Sequence, residues 1–253
     1  MTNRAQRTSE LTYIGSLGAT TRMADSTEQP PVLPRSRNRL IWLFIALGLV
    51  LLLPLPTFFV IRSFLGSSDS TEPTPVASFR GDFLPEHPRP GWRYFWNPNG
   101  PVGDTNGYVE LVWNGAVYAT TAAEVPRSPP AHYLRISSTG GHPGQGPSQT
   151  ASRGIDYEHT VIIAFTVSDS GHFAIGPSSL SRHAGAKHGS VRLQVFLNDR
   201  DTGSEVYCRS REGISFDRRL GHLSRGDTIY VIIGPGETDV NDHFDLDFTI
   251  GRL

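Results

Sequence analysis

In Val191-Arg-Leu-Gln-Val-Phe-Leu-Asn198, residues Val191, Leu193, Val195 and Leu197 fall on one side of an extended chain and Arg192 and Gln194 on the other. That period of two is the pleat of a half-buried β-strand. The C-terminal stretch repeats it, with Phe244, Leu246, Phe248 and Ile250 predicted inward and Asp245, Asp247 and Thr249 outward. Further strands are predicted over residues 108–113, 159–167, 172–178 and 227–234. Val161-Ile-Ile-Ala-Phe165 is apolar on both faces, which suits a central strand. Asp169-Ser-Gly171 and Asn198-Asp-Arg-Asp-Thr-Gly203 carry hairpin-turn chemistry. No helical period is evident in this part of the chain. The expected fold is an all-β, antiparallel two-sheet sandwich of jelly-roll type over residues 80–253.

Upstream the character changes. Residues 40–61, LIWLFIALGLVLLLPLPTFFVI, carry no charge for 22 residues, and a helix of that length rises about 33 Å, enough to cross a bilayer core. A transmembrane α-helix is therefore expected over 40–62, with Pro54 and Pro56 kinking or fraying its last turns. A cleaved signal peptide is the alternative, but the run is too long and no small-residue cleavage site follows it. Arg35, Arg37 and Arg39 precede the run, whereas Arg62 is followed by Asp69 and Glu72. This asymmetry keeps the N-terminus in the cytoplasm and places the C-terminal domain in the periplasm or outside the cell. Residues 1–39 are too polar to build a core and form a disordered tail, and the Ser/Thr/Pro-rich residues 63–79 form a linker.

The formal net charge of -1 excludes an electrostatic case for nucleic acid. The lone cysteine, Cys208, permits neither an intrachain disulfide nor a cysteine-based zinc cluster, and its strand context suits a small buried hydrophobe. Nine histidines all lie beyond the apolar run, but spacings such as His132, His142, His159 or His183, His188 match no zinc signature. Gly140–Gly146 is glycine-rich without the Lys-Ser/Thr of a phosphate loop, and reads as an ordered turn. No Gly-x-Ser-x-Gly elbow is present, so a hydrolase has no anchor for its nucleophile.

Gly91-Trp-Arg-Tyr-Phe-Trp-Asn97, Gly140-Gly-His-Pro-Gly-Gln-Gly146, Ala164-Phe-Thr-Val-Ser-Asp-Ser-Gly-His-Phe-Ala-Ile175 and Gly226-Asp-Thr-Ile-Tyr-Val-Ile-Ile-Gly-Pro235 resemble the β-sandwich modules of bacterial carbohydrate-binding and galactose-binding-like proteins. The likeness runs from about Arg80 to Leu253 and implies a sandwich, while such modules serve sugar binding, protein contact and spacing alike. Trp92, Tyr94 and Trp96 share one face of an extended segment. They are candidates either for stacking on a sugar or for the core, as is Trp113. Asp239, Asn241 and Asp242 crowd oxygen ligands near the last strand. In jelly rolls of the resembled kind the first and last strands are neighbours, which would bring Asp82 to the same place. A structural calcium there and an uncoordinated acidic turn are the two readings.

These features favour a membrane-anchored, non-enzymatic binding module that recognises a glycan or another envelope component, with no cofactor beyond that calcium. The alternative is an accessory subunit bracing a larger membrane protein complex on the extracytoplasmic side. A glycan-active enzyme using Glu110 or Asp156 is a weaker third reading.

Overall fold

The computed structural model describes residues 72–183, 189–236 and 241–253. The tail, the span predicted over residues 40–62 and most of the linker lie outside these residues. Among the described residues no helix is long and apolar enough to cross a membrane.

The described chain is all-β with two antiparallel sheets, consistent with the predicted sandwich. One sheet holds β1 (Thr74–Ser78), β4 (Val112–Trp113), β5 (Tyr118–Ala119), β6 (Arg135–Ser137), β7 (Gly140–His142), β9 (Gly171–Arg182), β13 (Arg218–Leu223) and β15 (Phe244–Arg252). Its order is β13-β9-β15-β7-β6-β5-β4, with β1 sharing an edge of β15 with β7. The other sheet holds β2 (Trp92–Trp96), β3 (Val109–Glu110), β8 (Val161–Thr166), β10 (Val191–Leu197), β11 (Arg200–Asp201), β12 (Val206–Cys208) and β14 (Thr228–Pro235). Its order is β11-β10-β14-β8-β2-β3, and β12 also pairs with β10.

The alternation read from the sequence sets the core. Val191, Leu193, Val195 and Leu197 of β10 join one buried cluster with Phe244, Leu246, Phe248 and Ile250 of β15. β8 lies between β14 and β2, as its two apolar faces require. Its second face, Ile162 and Ala164, packs with Phe95, Phe196 and Ile232 beneath Val102, Tyr108 and Tyr230. The segment leading from β2 to β3 thus supplies part of the cover for the outer side of this sheet.

Four local expectations are corrected. The residues around Asp169-Ser-Gly171 do not close a hairpin, because β8 and β9 belong to different sheets and the turn carries the chain between them. The strand predicted over 108–113 is divided at buried Leu111, with β3 in one sheet and β4 in the other. The linker predicted through residue 79 gives way at Thr74 to β1, where Ser78 pairs with Thr249 and both Ala77 and Phe79 are buried. Finally, among the described residues two short α-helices occur, α1 (Phe79–Asp82) and α2 (Pro147–Ala151). The Ser78 hydroxyl caps α1 by accepting from the Gly81 amide, and proline at the start of α2 costs no helical hydrogen bond. By contrast, Asn198 closes the hairpin from β10 to β11 as its turn chemistry predicts, in the left-handed conformation at φ 56°.

Candidate functional site

The aromatic series is not a ligand platform. Trp92, Tyr94 and Trp96 are 3%, 1% and 8% exposed, and all three point into the main core. Rings so enclosed cannot stack on a sugar, so their assignment to a ligand is corrected to the core alternative. Trp92 lies edge-on to Phe79 and Phe248, and its indole Nε1 donates to Asp82. Trp113, half-buried on β4, leans edge-on against Tyr118.

Of the four oxygen-bearing residues, the three that are described do not assemble either. β1 and β15 are indeed neighbours, but Asp82 is tied by Oδ2 to the amide of Ser78, the partner of Thr249. Asp242 precedes the opposite end of β15, roughly 20 Å away along the strand. The Asp82 carboxylate also accepts from Arg89 and Trp92, which makes it a brace between β1 and β2. Asn241 lines a different cavity from Asp82, and Asp239 lies outside the described residues. Among the described residues no group of three or more His, Cys, Asp or Glu side chains is placed to hold a metal ion.

What does assemble is a row of residues distant in sequence. Ile136 of β6 is in the core, so Arg135 and Ser137 face away from it. Register then fixes their neighbours. Ser137 pairs with Gly140, Gly140 with Asp245, and Asp245 with Ser181, making one row across β6, β7, β15 and β9. Arg135 pairs with His142, whose ring meets that of His243 at 4.6 Å, and His243 lies 6.2 Å from His183. Those four residues form a parallel row along the same face.

Gly140 has no side chain to fill its place in the first row, and the face is notched there. A cleft of about 400 Å³ results, with Arg135, Ser137, Thr139, His183, Asn241, His243 and Asp245 around it and Gly140 and Gly141 bare beneath. Both glycines are required. A Cβ on Gly140, at φ 147°, would lie 2.0 Å from the Phe244 carbonyl oxygen, and one on Gly141 would lie 2.2 Å from that of Arg135. The Gly-Gly pair therefore marks a strand squeezed between two others, not the turn expected from composition.

The electrostatics follow from the packing. Arg135 Nη2 contacts His243 Nε2 at 2.5 Å. Arginine has no acceptor, so His243 accepts and its ring is neutral, with the proton on Nδ1. Burial first, then the Arg135 charge and His183, hold the His243 pKa below the ordinary value, with Asp245 opposing. His142, more enclosed, is pushed down to about 4 by burial, aided by His243, Arg135 and His132 and opposed by its contact with the Pro143 carbonyl. Burial also lowers the pKa of the Arg135 guanidinium, which nonetheless stays charged at any working pH. Asp245 is engaged with His183 Nδ1 at 3.3 Å.

Elsewhere the polar chemistry is structural. Cys208 is buried, its thiol donates to the Leu180 carbonyl, and burial raises its pKa, which suits the small-hydrophobe reading. Glu110, one candidate for an enzymatic carboxylate, accepts from both Nε and Nη2 of Arg93. Spacing in sequence could not reveal the histidine row, because 135, 142, 183 and 243 meet only through strand register. Neither a protein-family model nor a curated protein sequence matches the chain.

Proposed function

We propose that the chain is a membrane-anchored, non-enzymatic binding module. The helix expected over residues 40–62 would be the anchor, its tail would be cytoplasmic, and its β-domain, of jelly-roll type, would present the Arg135–His243 cleft to envelope glycans. One observation carries this reading: among the described residues seven polar side chains converge on an open notch floored by bare glycine backbone on a sheet. Hydroxyls, imidazoles, an amide and a guanidinium are the donors and acceptors that a polyhydroxylated ligand needs, and strand backbone holds them in place. The test is retention of the detergent-solubilised protein on immobilised envelope polysaccharide. Ser137→Trp, which fills the notch from outside, should abolish retention without lowering the melting temperature. Equal retention of this variant would refute the assignment.

A second reading, an accessory subunit of a membrane complex, draws support from β3 and β4. These terminate the two sheets, and Val109 and Val112 on them are 42% and 41% exposed. An apolar sheet edge is a ready surface for protein contact. Purification from the native membrane in mild detergent distinguishes the two, because only a subunit would arrive with stoichiometric partners that Val112→Lys releases.

A further inference from the structure

We infer that the cleft selects an acidic ligand, with Arg135 receiving an oxyanion of the carboxylate or phosphate type. This rests on the cleft being the binding site. Among the described residues, Arg135 is the only arginine or lysine lining the cleft, and no carboxylate pairs with it. Its recorded bonds go to the Tyr133 carbonyl at 3.4 Å and to neutral His243. A half-buried guanidinium usually acquires an anionic partner, because neutral acceptors offset only part of the lost hydration.

The surroundings leave that place to a ligand. Asp245, the one carboxylate among the described residues lining the cleft, contacts His183 instead. A guanidinium offers five N–H donors in a planar fork, of which the two recorded bonds use two, and the fork matches a carboxylate or phosphate group. Gly140 and Gly141 put no side chain in the way of a ligand approaching beside it. A neutral saccharide would satisfy the hydroxyls and imidazoles and leave the charge uncompensated.

The test is calorimetry on the full-length protein in neutral detergent at low ionic strength and pH 7. Three probes are used: tetragalacturonate, the same oligosaccharide with its carboxylates reduced to alcohols, and a short glycerol-phosphate polymer. The expected result is that at least one anionic probe binds roughly ten- to a hundredfold more tightly than the reduced one. Arg135→Gln should erase that difference while leaving the melting temperature near wild type, and Arg135→Lys should restore only part of it. Preference between the two anionic probes tells uronate from phosphate. Equal binding of all three by the wild type would overturn the inference and leave the cleft as a neutral saccharide site. Binding of none would overturn the cleft reading and the inference together.

Discussion

The Arg135 guanidinium donates to Nε2 of His243 across strands that lie 108 residues apart in sequence, and this bond fixes the protonation state of the histidine. A proton on Nε2 would place two donors face to face. His243 should therefore titrate below an ordinary histidine, and Arg135→Gln should move its titration upward, though not fully to 6.5, because burial is the larger cause. Proton NMR of the imidazole resonances measures this. An unchanged midpoint would contradict the pairing.

Stability should depend on two enclosed histidines. His142 and His159 are each held to about 4 in the folded protein, against an ordinary 6.5, with burial the first cause in both. Between those values the unfolded chain binds more protons than the folded one, so stability rises with pH across the window and is lost as pH falls from about 6.5 towards 4. His159 is fully buried, and neither ring nitrogen has a hydrogen-bond partner. His159→Phe should flatten the dependence, which chemical denaturation at a series of pH values would record. A slope equal to wild type would refute the role of His159.

The aromatic series should behave as core. Trp96→Ala is expected to cost about 3–5 kcal/mol, the range of buried aromatic truncations. Tyr94→Phe should cost nothing or stabilise slightly, because the buried Tyr94 hydroxyl has no partner and its desolvation is uncompensated. Urea unfolding distinguishes these outcomes. A stable Trp96→Ala variant would return that ring to the surface.

Glycine requirements should divide by what surrounds them. Gly140→Ala and Gly141→Ala drive a methyl group into strand backbone and should unfold the protein or lower its melting temperature steeply. Gly115→Ala and Gly154→Ala, at φ 94° and 70° with open space around them, should incur only the smaller conformational cost. Equal effects at all four sites would show that β7 is not squeezed between its neighbours.

Much of this architecture is legible in the sequence because burial and pleat coincide. Residues 191–197 and 244–250 alternate, and those alternating residues are the core. β8 is apolar on both faces, and both are covered. Short strands such as β5, β6 and β7 escape notice because two or three residues cannot display a period. The crossing at Leu111 is hidden for another reason, since a chain passing between sheets stays extended and keeps its alternation. Trp92, Tyr94 and Trp96 share one face as their spacing indicates, but spacing does not say whether that face meets solvent or the opposite sheet. The cleft is the least legible feature. Arg135, His142, His183 and His243 become neighbours only through the register of β6, β7, β15 and β9, and their notch depends on a glycine that composition alone assigns to a turn.

The central claim is that ligand meets this protein at the Gly140 notch. Backbone amide shifts of the detergent-solubilised protein, followed while an envelope oligosaccharide is titrated in, test it most directly. The account predicts that the largest changes fall on Ser137–Gly141 and on residues 241–245, with Trp92–Trp96 unmoved. Changes centred on Val109–Trp113, or no changes at saturating oligosaccharide, would contradict it.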